Sequence, residues 1–301
     1  MGIIFHMAKQ PLAEVFGFPT DNFSPEAESF RYSKLCPYNN KVPSCTKAKA
    51  NDPLGVCSVF DSGELAIICP IRFRQNWLIV KDAANFFFPK GTSWTTLVEI
   101  RLDDKNKQSA GNIDVVLVAY DEKGRVIDFG ALEVQAVYIS GNIRRPFDYY
   151  IENPRERSNM DWSGKSGYPN PDYLSSSRKR LAPQLIYKGG ILNSWNKKIA
   201  VALHSNFYKT LPKLPEVAPE KANLAWFVYD LQQDTARNRY DLALTKTVYT
   251  DFQPALDKIT NPEPGSIEHF IGHLQEKLDE KLGNDNNPDA PTLLDVISDE
   301  P

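Results

Sequence analysis

Residues 129–135 read FGALEVQ. Glu133 and Gln135 lie two positions apart, so on an extended chain they share one face. The flanking Phe129, Ala131, Leu132, Val134, Ala136 and Val137 are apolar at both parities. A surface strand would alternate along its whole length. This stretch instead reads as a central strand, buried on both faces, that carries a single polar pair.

Outward from it, the chain reads as a mixed α/β (α+β) core. IDVVLVAY (113–120) is β-rich, DEKG (121–124) is a hairpin turn, and VIDFGALEVQAVYI (126–139) is the return strand. The two strands are therefore expected to be antiparallel neighbours. LVEIRL (97–102), IAVALH (199–204), LAWFVYDL (224–231) and YDLALTKTVY (240–249) supply further strands. Helices are expected in AKQPLAEVFG (8–17), in LSSSRKRLAPQLIYKG (174–189), where Pro183 limits regularity, and in IEHFIGHLQEKLDEKL (267–282). Three regions follow. Residues 1–70 form an N-terminal region with a cysteine-containing element at 36–70, which shows little periodicity. Residues 71–260 form the core, with a basic insertion at 141–200. Residues 261–301 form a C-terminal helix and an acidic tail.

Of 301 residues, 42% are hydrophobic and 24% charged, the composition of an ordinary globular chain. No run of about 18 apolar residues could span a bilayer, and MGIIFHMAKQ lacks the apolar region of a secretory signal. A cytoplasmic protein is expected, with Met7 an alternative start to Met1. The net charge of −3 hides a division. Residues 141–200 carry eleven Lys and Arg against five acids, and residues 263–301 carry two Lys against ten acids. Such a swing accompanies polyanionic ligands, and solvated surfaces produce it too.

Cys36, Cys45, Cys57 and Cys69 fall within a single 34-residue segment. Independent buried thiols would scatter, and disulfides suit small secreted domains. A four-thiolate metal site suits a loop-rich segment that lacks apolar residues of its own. Sulfur ligation favours iron or zinc, and the spacing does not separate them.

Asp114 opens the run IDVVLVAY, and eighteen residues separate it from Glu133. Two carboxylates on adjacent strands suit Mg²⁺, a hard ion that takes oxygen ligands. Such an ion could neutralise an anionic phosphodiester and activate water against it. Where this nuclease pattern commonly has Lys, the chain has Gln135, which can orient a water and cannot act as a base. The plainer reading is a turn-capping Asp114 and a Glu133 paired with a nearby Arg.

Taken in order, CPYNN, SCTKA, GVCSVF, IICP and then GALEVQ resemble the NotI-type restriction endonucleases. The resemblance is strongest over 36–70 and 110–136. It implies a PD-(D/E)xK core with a mixed sheet flanked by helices, preceded by a four-cysteine iron element. It also implies Mg²⁺-dependent, sequence-specific cleavage of double-stranded DNA by a homodimer in a prokaryotic cytoplasm. On that likeness Asp114, Glu133 and Gln135 are the catalytic residues, Glu99 is a more loosely matched further carboxylate, and the four cysteines hold iron, with zinc the alternative. Two rivals are a repair or structure-specific nuclease of the same fold and a non-catalytic, metal-stabilised DNA-binding protein.

Arg144, Arg145, Arg155, Arg157, Arg178, Lys179 and Arg180 follow the polar-pair strand and are the candidate DNA contacts. The alternative is a solvated basic surface. Tyr149, Tyr150, Trp162 and Tyr168 could stack on sugar or base, or simply anchor a loop. His269 and His273 lie one helical turn apart without a third ligand and read as helix surface. His204 reads as structural, and PKGTSW (89–94) lacks the order of a phosphate loop.

Overall fold

The β-branched runs assemble into one mixed six-stranded sheet in a computed structural model that describes residues 9–39, 42–49 and 51–283. Strands β1 (Leu12–Val15), β2 (Phe18–Pro19), β3 (Val56–Asp61) and β4 (Glu64–Ile67) form a small sheet in the order β2-β1-β3-β4. The main sheet comprises β5 (Trp94–Asp103), β6 (Ser109–Tyr120), β7 (Val126–Gln135), β10 (Ile199–His204), β11 (Leu224–Asp234) and β12 (Arg239–Thr250), in the order β12-β11-β10-β7-β6-β5. A short pair, β8 (Tyr138–Ser140) and β9 (Asn170–Asp172), lies between its halves in the chain. The chain divides into two units, Met1–Thr260 and Asn261–Pro301.

The expected hairpin is present. β6 and β7 run antiparallel, with Val115 opposite Leu132 and Val118 opposite Phe129. The Asp121 carboxylate accepts the amides of Lys123 and Arg125 across the turn, and Gly124 takes the left-handed φ of 74° that the turn requires. β10 lies parallel to both β7 and β11 and is buried at all six positions. FGALEVQ, on β7, lies between β6 and β10 in the interior of the sheet and is covered on both faces, which is why it is apolar at both parities.

One face of the sheet packs against α2 (Leu78–Phe87), which follows α1 (Pro25–Tyr32) in the chain. Ile79, Val80, Ala83 and Phe87 of α2 join Leu117, Leu132, Ala200 and Phe227 in one apolar cluster. Gly130 sits beneath the Phe87 ring, and a Cβ there would collide with it. On the other face Val116, Ala131, Val201, Trp226 and Val248 pack against Leu181, Leu185, Leu192 and Phe252. Leu181, Leu185 and Leu192 come from a helical run at 173–194 in which α-helical turns alternate with wider π turns at Ser177–Leu181 and Leu185–Gly189. Pro183 has no N–H to donate and lies between the two π turns.

The structure corrects two expectations. AKQPLAEVFG does not form a helix: LAEV is β1, paired with β3, and the helix comes later at Pro25–Tyr32, capped by Ser24. Pairing with a strand more than 40 positions away outweighs local propensity here. The 36–70 segment is also more regular than its spacing suggests, because β3 and β4 form a hairpin closed by Ser62 and Gly63, both at positive φ. A buried ion pair links this small sheet to the main one. Glu14 of β1 receives Arg72 Nε at 3.0 Å and the Ser58 hydroxyl at 2.8 Å, and Arg72 also donates to Gln75 and to the Tyr240 carbonyl of β12. Every polar atom of that carboxylate is used.

In the second unit, Ile267–Gly283 is a helix, as the period-3.6 pattern indicates. No described helix is long and apolar enough to cross a membrane. The alternative start at Met7 and the acidic stretch beyond 283 lie outside the described residues.

Candidate active site

The β6–β7 register places the carboxylates. Val115 opposes Leu132 at the last rung of the ladder, and Asp114 and Glu133 follow it on the two strands. On the other side of β6, Val98 opposes Val115 and Ile100 opposes Ile113, and Glu99 falls between these pairs. Asp114 and Glu133 thus lie side by side on β6 and β7, with Glu99 on the neighbouring β5. Asp114 is fixed by the Val134 amide, which donates to Oδ2 at 2.7 Å. This side-chain acceptor replaces a backbone one, so the ladder ends where the carboxylates begin. Glu99 is exposed and has a left-handed φ of 54°, a strained conformation for a residue with a side chain.

Glu133 is the buried member, with a side chain 4% exposed. Its Oε2 receives the Lys188 ammonium at 2.6 Å, and Lys188 also donates to the Asn112 carbonyl at 2.8 Å. Oε1 is buried and receives no donor, and the Glu133 carboxyl lies within hydrogen-bond reach of Asp114 when one of the two is protonated. Burial pushes the Glu133 carboxyl up to about 8, the nearby Asp114 carboxylate pushes the same way, and Lys188 pulls it down. The direction is upward because burial and a like charge together outweigh one ammonium. Gln135, also buried, donates from Nε2 to Gln184 Oε1. Both Gln184 and Lys188 come from the 173–194 run, which therefore lies across the acidic end of β7.

Lys188 and Gln184 are the partners that sequence reasoning missed. They stand 55 and 49 positions from Glu133 and Gln135, and neither spacing nor residue type marks them within a basic, Pro-containing helix. The plainer reading expected an arginine beside Glu133, and the partner is instead a lysine from a segment 55 positions away.

A family model described as restriction endonuclease NotI matches residues 25–242. The chain belongs to the NotI restriction endonuclease family. Membership makes it a type II site-specific deoxyribonuclease, an enzyme that cleaves DNA at a defined sequence. No individual curated protein matches it. The matched span contains both β6 and β7, the helical run and all four cysteines. Restriction endonucleases typically use Mg²⁺, and carboxylate oxygens are the donors this ion prefers.

In this NotI-family chain the candidate DNA contacts fall into two groups. Arg144 pairs with Asp52 at 3.1 Å, Arg155 with Glu28, and Arg157 with Glu152 at 2.6 Å, while Arg145 donates to the Ser166 carbonyl. Arg157 also lies 3.9 Å over the Tyr149 ring, and Tyr149 contacts Trp162. Tyr150 is buried and donates to the Thr20 carbonyl, so it anchors the chain. Arg178, Lys179 and Arg180 are exposed on the 173–194 run, and Arg180 lies 5.2 Å over Tyr138, three residues past Gln135. His204 is buried and pairs with Asp230 at 3.2 Å.

The four cysteines are free, and three of them are buried. Burial pushes the Cys36 thiol up to about 11, and it raises Cys45 and Cys57 as well. Other thiols of the four add to each of these upward shifts. Lys47 belongs to the same group. It donates to the carbonyls of Val56 and Ile68, is pulled down by burial, and feels Cys69, Cys57 and Cys45. Among the described residues, no three His, Cys, Asp or Glu side chains converge closely enough to hold a metal ion. A cavity of about 530 Å³ opens elsewhere, beside Tyr38, Arg74, Trp77 and Arg239, and none of its lining residues belongs to the carboxylate site.

Proposed function

We propose that this restriction endonuclease cuts duplex DNA at the acidic end of β6 and β7, with a PD-(D/E)xK core built on that hairpin. Asp114 and Glu133 are its cation ligands, Gln135 orients the attacking water, and Glu99 is an accessory carboxylate. One observation carries this reading: Glu133 Oε1 is buried and receives no donor beside a second carboxylate. A buried acceptor left unsatisfied costs about 1–3 kcal/mol, a cost that a ligand to that oxygen removes. When bound, a divalent cation neutralises the phosphodiester and acidifies the attacking water. The protein supplies the rest. Val134 N–H fixes the angle of Asp114, burial excludes competing solvent from Glu133, and Gln184 holds the Gln135 carboxamide so that it can accept from or donate to a water.

Arg178, Lys179 and Arg180 hold the DNA backbone beside the site, and the internally paired arginines at 144–157 shape the loop that precedes them. On the family likeness Cys36, Cys45, Cys57 and Cys69 would hold a structural iron within residues 36–70, although the described side chains do not converge on such a site. The buried Lys47 ammonium, which has carbonyl partners, fits the negative charge that four thiolates leave around a divalent ion. A C₂ homodimer lets one such site address each strand of a palindrome.

Incubation with a long mixed-sequence duplex and Mg²⁺ should give discrete fragments. Glu133→Ala should abolish cutting, by about 10³-fold or more, while a gel shift persists. Undiminished cleavage by that variant would refute the assignment of the site.

A further inference from the structure

Among the described residues, two buried ion pairs are of opposite design. Glu14 and Arg72 satisfy each other fully, with Ser58 on the carboxylate and Gln75 and Tyr240 on the guanidinium. Glu133 and Lys188 do not. Lys188 engages one carboxylate oxygen and leaves the other buried without a donor. Two charges removed from water are held at a net cost unless their remaining hydrogen bonds are met. An apolar pair would serve the core better at this position, so stability does not explain why the lysine is there.

Its placement offers another reason. The Lys188 ammonium bridges Asn112 on β6 and Glu133 on β7, straddling the two strands that carry the carboxylates. Among the described residues two of its three donors are engaged, and its side chain is 5% exposed. Gln135, two residues past Glu133, brings no charge. Among the described residues, the ammonium in contact with Glu133 comes from the helical run.

We propose that Lys188 is the cationic positioning residue of this site. It holds Glu133 beside Asp114 when no metal is bound, and it keeps a positive charge at that end of the sheet when Glu133 turns its free oxygen to a cation. The inference rests on the catalytic reading of Asp114 and Glu133. A competing ammonium on a carboxylate weakens its hold on a divalent ion, and the same charge favours the increasingly anionic phosphate during attack. Removing it should therefore strengthen metal binding and slow chemistry, whereas a merely structural residue would impair both together.

The test compares Lys188→Met and Lys188→Arg with the wild type and Glu133→Gln. Mg²⁺ binding to the DNA-free protein is measured by calorimetry, single-turnover cleavage at saturating Mg²⁺, and folding by thermal melting. Lys188→Met should bind Mg²⁺ several-fold more tightly and cut about 10²–10³-fold more slowly. Lys188→Arg should return the rate to within about tenfold of wild type, because it keeps the charge. Unchanged affinity and rate in Lys188→Met would overturn the proposal, as would parallel losses of affinity, rate and melting temperature in both variants. Should Lys188→Met fail to fold, Lys188→Arg decides: near-wild-type affinity and rate support the proposal, and loss of both overturns it. Full activity in Glu133→Gln would instead overturn the underlying site. An inactive Glu133→Gln beside a fully active Lys188→Met would remove only the role of Lys188.

Discussion

Glu133 is a carboxylate whose surroundings disfavour its charge. Its proton is held to about pH 8 in the folded chain, against 4.5 for an ordinary glutamate. Between those values the folded state binds more protons than the unfolded one, so stability falls as pH rises. The contribution is fully present below about 4.5 and is lost through about 8. Denaturant titrations without divalent ions should therefore show the wild type losing stability relative to Glu133→Gln between pH 5 and about 8.5. Parallel pH profiles for the two proteins would contradict this. The penalty fits a group kept for a ligand: ionisation is unfavourable while the site is empty of cations and becomes favourable when one arrives. The residue type and its place on a strand were legible in FGALEVQ. The bare oxygen and the Lys188 contact were not, because both depend on a helix 55 positions away.

At the level of elements, the main-sheet strands followed from their apolar runs, and the β6–β7 hairpin from DEKG. β1 was misread as helix because LAEV has no decisive period over four residues and its pairing with β3 is remote. The 36–70 element shows the same limit. Its cysteines were conspicuous, while the β3–β4 hairpin that carries Cys57 depends on β1 as its neighbour. If the proposed metal is structural, the purified protein should carry about one iron per chain. Cys57→Ser should release it and lower the Tm by on the order of 10 °C, since several kcal/mol are at stake at about 2–4 °C per kcal/mol. A metal-free preparation with four alkylatable thiols and an unaltered Tm would refute that element's role.

Across the whole molecule, an excess of acid coexists with a DNA substrate, so binding must depend on where the positive charge lies and not on its total. Arg178, Lys179 and Arg180 are exposed, whereas Arg155 is held by Glu28. Replacing 178–180 with alanine should lower the slope of log K against log salt by about 0.9 for each phosphate contact removed. Arg155→Ala should leave the slope unchanged. Equal effects of the two substitutions, measured by fluorescence anisotropy over a salt series, would show that the helical run is not the contact surface. By itself the sequence determined the strands of the main sheet, the antiparallel hairpin, the acidic pair on it and, through ordered local motifs, the resemblance to a family that now contains the chain. These features lie within short windows or a single hairpin, where periodicity and turn chemistry act. Only the tertiary structure decided that β5, which carries Glu99, lies beside β6, that β1 is a strand, and that Lys188 and Gln184 reach Glu133 and Gln135. Each of these is a contact between distant segments, set by which apolar faces pack together and carrying no mark in the local sequence.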